Sequence, residues 1–155
     1  MEITLNELLQ EEQDLQFTKF NENTAWQIGR SLVEKCGREG FSVTIDIMRG
    51  EQQLFHASLP GTSADNDEWV KRKVRLVYRF GHSSFYVGQL LKSKGKSIEE
   101  AYLLPENLYA PHGGCFPIII KDTGVIGAIT ISGLAQEEDH KLVVGAIKGY
   151  LEQEK

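Results

Sequence analysis

The sequence predicts an α+β domain in which an antiparallel sheet is flanked by helices. Three observations carry that prediction. Hydrophobicity alternates with period two over residues 41–48, and the strand candidates within 41–57 and within 115–133 are each paired around a turn. Helix-period stripes with capping signals fill the segments before, between and after those runs. A chain of 155 residues suits one domain, expected to span 1–155, and can bury a core without disulfide or metal.

The elements follow in order. Thr4-Leu5-Asn6-Glu7 has the form of a capping box and opens a short amphipathic helix over 4–14, so residues 1–22 read as a helical extension. A second helix fits 23–38, with Ala25, Ile28, Leu32 and Cys36 on one stripe, Trp26 and Val33 beside it, and glycines at its end. Phe41, Val43, Ile45 and Ile47 then alternate with polar neighbours, Arg49–Gln52 turn, and Gln53–Ala57 return as a hairpin. Asp65 is the expected N-cap of the next helix, with Glu68 as its partner. That helix runs to Phe80 with Trp69, Val70, Val74, Val77 and Phe80 as its buried stripe. Ser83 or Ser84 caps a shorter helix through Leu91, and Ser97–Glu100 is a second capping box that must end before Pro105. Cys115–Lys121 and Val125–Gly133 form the second hairpin around Asp122-Thr123-Gly124. Small residues in the latter strand require something to pack closely on one face. A last helix over 135–153 buries Leu142, Val143, Ala146, Ile147 and Tyr150.

Composition excludes several function classes. Hydrophobic residues are 41% and charged residues 25%, ordinary for a globular chain. No apolar run approaches the roughly 18 residues of a membrane span. The acidic N-terminus lacks the order of a signal peptide, so a cytoplasmic protein is the expectation. The net charge of −5 argues against nucleic acid. Charge is nevertheless uneven: residues 1–24 carry six acids and one base, whereas 65–96 carry three acids and eight bases. Five of those bases, Lys71, Arg72, Lys73, Arg75 and Arg79, fall within one helix. Such a helix suits a small anionic ligand or an acidic partner.

The stretch Ala110-Pro111-His112-Gly113-Gly114-Cys115-Phe116 raises the question of chemistry. His-x-x-Cys offers two soft ligands, but the other histidines form no pair with zinc spacing. Cys115 has no visible activating base and reads as a small apolar residue entering a strand. Gly113-Gly114 matches neither phosphate-loop pattern, yet paired glycines leave amides uncovered for an anion or a flat ligand. No Ser-His-Asp order and no metalloprotease motif appears, so the residues do not declare an enzyme. His140, after Glu137, Glu138 and Asp139, is expected at the surface.

The blocks at 61–88 and 110–140 resemble a bacterial and fungal family within the GlcG/HbpS-like "haem-degrading domain" superfamily. The resemblance implies a profilin-like fold with a central antiparallel sheet of about five strands, and homo-oligomers built from dimers. It also makes haem a candidate cofactor, with His112 the first ligand candidate, although the superfamily shares no single axial residue. The expected function is a homo-oligomeric, small-ligand-binding protein with its site at a subunit interface. Arg72 and Lys73 would supply charge, Asn66 and Ser84 orienting hydrogen bonds, Gly113 and Gly114 bare amides beside His112, and Trp69 and Phe116 apolar walls. The alternative class is an assembly or scaffold partner whose opposite charge patches serve self-association.

Overall fold

A computed structural model describes residues 2–154. The chain forms α1 (Leu5–Asp14), α2 (Glu22–Glu39), β1 (Thr44–Arg49), β2 (Gln52–Ser58), α3 (Ala64–Phe80), α4 (Ser84–Lys94), α5 (Ile98–Tyr102), β3 (Cys115–Ile120), β4 (Gly124–Ser132) and α6 (Gln136–Gln153). The four strands make one antiparallel sheet in the order β2-β1-β4-β3. The expected sheet of about five strands is thus a sheet of four among the described residues. The segment after α1 supplies only a parallel bridge, Phe17 to Ile120, because Asn21 already caps the next helix.

The capping chemistry sets most helix starts. Thr4 and Glu7 exchange the hydrogen bonds of a capping box, as do Ser97 and Glu100. The cap of α3 is Ser63 rather than Asp65, and its reciprocal partner is Asn66 rather than Glu68. The hydroxyl wins because Ser63 holds the extended backbone that an N-cap needs, while Asp65 is already inside the first turn.

The sheet separates two packed layers. On one face Ile45, Ile47, Phe116, Ile129 and Ile131 meet Ile28 and Leu32 of α2 and Val143 and Ile147 of α6. On the other, Val77 of α3 lies against Cys115 and Ala128. Here the small residues of β4 accept a helix at close range, as the sequence requires. A satellite core of Leu76, Val87, Leu91, Ile98 and Leu104 joins α3 to α4 and α5.

The stripe of α3 differs from expectation. Val70, Lys73, Leu76 and Val77 are its buried residues, whereas Trp69, Val74 and Phe80 are half-buried. A lysine therefore occupies an inward position, and the five bases do not share one solvated face.

Candidate functional site

Asn66, Trp69 and Lys73 recur at i, i+3 and i+7, so α3 presents them along one line. That line forms one wall of a cavity of about 290 Å³. His112 closes one side, and Ser132, Gly133 and Leu134 supply the turn opposite. Gln136 and Asp139 come from α6, and Asp65 stands at the mouth.

Lys73 is the floor. Its residue is only 3% exposed, and its Nζ donates to the carbonyl of Ile131 (3.1 Å) and to Asp139 Oδ2 (3.4 Å). Asp139 in turn accepts from the amides of Gly133 (3.2 Å) and Leu134 (3.0 Å). This carboxylate ties the turn after β4 to α6, whose N-cap Ala135 makes no side-chain cap hydrogen bond. Burial pushes the Lys73 ammonium below its ordinary pKa, with Asp139 opposing. Burial likewise pushes Asp139 up, against the pull of Lys73 and the two amides.

His112 is exposed, and its ring meets that of Trp69 edge-on at 5.6 Å. Desolvation, then the charges of Lys73 and Arg72, hold its imidazole below the usual value, while Glu106 pulls the other way. A neutral imidazole is the ligating form.

Other expected site residues lie elsewhere. Arg72 does not enter the cavity. Its guanidinium stacks over Trp69 at 4.5 Å and donates to the Glu106 carbonyl at 2.6 Å, while its buried Nε has no partner. It lines an adjoining hollow of about 340 Å³ with Lys92, Lys96 and Glu106, and His112 and Gln136 border both spaces. Ser84 is buried and its hydroxyl accepts from the Cys115 amide at 3.1 Å, pinning the start of β3. Phe116 is 0% exposed within the main core and forms no wall of the cavity.

The paired glycines serve close packing. The Gly113 amide is taken by Gln136 Oε1 at 3.0 Å, so it is not bare. Gly114 has φ of 133°, and a Cβ there would lie 2.2 Å from the Ile131 carbonyl and 2.7 Å from Lys73 Nζ. Only glycine lets the loop lie this near the lysine.

His140 corrects a second expectation. It is 2% exposed, its ring stacks on Phe85, and Nε2 lies 2.9 Å from Glu11 Oε1. Glu137 and Glu138 occupy the outer face of α6, and the helical period turns Asp139 and His140 inward. Gln136 and Asp139 were not singled out as site residues from the sequence. The missing cap before α6 was the one signal that an acid inside the helix had a duty.

A family model described as "Haem degrading protein HbpS-like" matches residues 20–148. The chain belongs to the HbpS-like family. Among relatives of this HbpS-like chain, a UPF0303 protein from Streptomyces coelicolor is 46% identical over 148 residues, covering 96% of this chain and 94% of the relative. A UPF0303 protein from Edwardsiella ictaluri is 47% identical over 150 residues, covering 97% and 96%. The crystal structure of Ybr137w protein superposes with a TM-score of 0.91 at 31% identity, covering 99% of this chain and 91% of that one. A PduOC:heme complex shares the HbpS-like fold at TM-score 0.66 and 19% identity, covering 84% and 92%.

Proposed function

We propose that this protein binds a small polar ligand in the cavity walled by Asn66, Trp69 and Lys73, within a homo-oligomer whose subunit interface lies near the His112 turn. The observation that supports this reading is convergence. Side chains from α3, the 110–114 loop, the β4–α6 turn and α6 meet around one space.

Charge divides the ligand. Inside the cavity Lys73 faces Asp139 and Asp65, so no excess positive charge awaits an anion there. The adjoining hollow gathers Arg72, Lys92 and Lys96 against Glu106. An anionic group therefore belongs on the Arg72 side of His112, with the polar body of the ligand on the Lys73 side. Benzoate, which offers a carboxylate and a ring, tests this. Titrated into the protein and followed by the His112 ring protons, it is expected to bind about tenfold more weakly to Arg72→Ala. Unchanged affinity in that variant removes the charge argument.

Haem is the second reading, favoured by the family description and by the heme complex among the structural neighbours. The donor set fits in one respect: His112 offers an exposed imidazole biased to its neutral form beside the Trp69 ring. A cavity of about 290 Å³ does not enclose a porphyrin, so holding one would need cover from a second subunit. Bound there, haem would supply its own redox chemistry, and the His112 imidazole and the Trp69 ring would be the groups that hold it. Hemin added to the protein is expected to give a shifted Soret band that His112→Ala abolishes. A band indifferent to that substitution retires the assignment.

A further inference from the structure

The hairpin carries a second constellation, on the sheet face that α3 covers only in part. Asp46 and His56 are direct partners across β1 and β2, and Ser58 follows two residues along the same face. Asp46 is 3% exposed, and its Oδ1 lies 3.1 Å from His56 Nδ1. Gln53 Nε2 donates to the same oxygen at 2.6 Å, which fixes the carboxylate. On the far side of the ring, His56 Nε2 lies 3.3 Å from Ser58 Oγ. The order is therefore buried acid, oriented imidazole, exposed hydroxyl.

A cleft of about 490 Å³ adjoins the histidine, with apolar walls from Met48, Val70, Val74 and Tyr78. The Tyr78 hydroxyl is spent on the Gly50 carbonyl at 2.6 Å, so the ring side is what remains for the cleft. Two of the charged groups along α3 are similarly committed: Lys71 to Glu68 at 2.9 Å and Arg75 to the Leu108 carbonyl at 3.2 Å. Asp67 reaches His56 Nε2 at 3.3 Å. It therefore stabilises the imidazolium that forms when Nε2 takes a proton.

From this arrangement we infer that Ser58 is an activated nucleophile, with His56 as its general base and Asp46 as the residue that positions His56, accepting acyl groups from small activated esters whose apolar part rests in the cleft. The roles follow from geometry: base to nucleophile, orienting acid to base, and a cleft beside the base. In the step, Ser58 Oγ bonds to the ester carbonyl carbon as its proton passes to His56 Nε2. The carbon–oxygen bond to the leaving group then breaks, and that alkoxide takes the proton from His56 and departs as the alcohol. Water repeats the sequence on the acyl-serine, releasing the acid and restoring the hydroxyl. The sequence concealed this set, because its order is Asp, His, Ser over 13 residues and only the strand register brings the three together.

The full chain treated with p-nitrophenyl acetate tests the inference. A burst of nitrophenol and an acetyl group on Ser58, located by peptide mass spectrometry, are expected. Ser58→Ala and His56→Gln should each slow the burst about a hundredfold, with circular dichroism and melting temperature reporting that both variants are folded. Asp46→Asn should lower the burst rate constant while leaving the ester concentration that half-saturates it unchanged, a split that a merely structural role for Asp46 would not produce. Acetyl found only on lysines, or a burst unchanged in folded Ser58→Ala, overturns the proposal.

Discussion

Single residues decide the chemistry of the cavity, and Lys73 decides most of it. An ammonium is rarely buried without a partner, because removing it from water costs several kcal/mol. Here Asp139 and the Ile131 carbonyl supply the partners, and Gly114 supplies the room. Lys73→Met would leave Asp139 buried beside two amides only, and is expected to cost about 3–5 kcal/mol in a urea titration. His112 offers a milder test. Its folded pKa lies below its unfolded value, so the unfolded chain takes up the proton first as pH falls. Stability should therefore drop on going from pH 8 to below about 6.5, the ordinary histidine value, and His112→Asn should not share that part of the drop. Arg72→Ala removes one of the depressing charges and should raise the His112 midpoint in an NMR titration.

At the scale of elements, α1 lies outside the residues matched to the family, 20–148, yet it is firmly attached. Leu8 is 0% exposed beneath it. Glu12, itself 5% exposed, accepts from the Ser83 amide at 3.0 Å and lies 2.7 Å from His82 Nδ1, while Glu11 pairs with His140. An acidic helix is thus joined to the start of α4 and to α6 by two carboxylate–histidine contacts. Leu8→Ala should destabilise the protein by about 2–5 kcal/mol, read from the denaturation midpoint. A loss near zero would mean that α1 frays independently of the core.

For the whole molecule, the two thiols sit on opposite faces of the sheet. Cys36 belongs to the α2–α6 layer and Cys115 to the α3 layer. Burial raises both, and Cys115 is pushed to about 12. Neither should react with a disulfide reagent at pH 8 until the chain opens. If the domain unfolds as one cooperative unit, both thiols should become reactive at the same denaturant concentration. Cys115 reacting well before Cys36 would show that the α3 layer detaches first.

Much of this was legible in the residues. Period-two alternation located the first hairpin, the Asp122-Thr123-Gly124 turn between two apolar runs located the second, and the Thr4–Glu7 and Ser97–Glu100 boxes opened their helices as read. Those signals are local, because a hydrogen bond to a neighbouring amide depends on only a few residues of chain. The sequence by itself therefore determined the α+β class, the element order and most of the core. What it could not determine was which side chain faces which. The inward turn of Lys73 and His140, the removal of Phe116 and Ser84 from the cavity, and the meeting of Asp46, His56 and Ser58 were decided by tertiary structure. Helical and strand periods assign a residue to a face, but the partner across that face comes from a distant segment, brought there by the packing of the whole sheet.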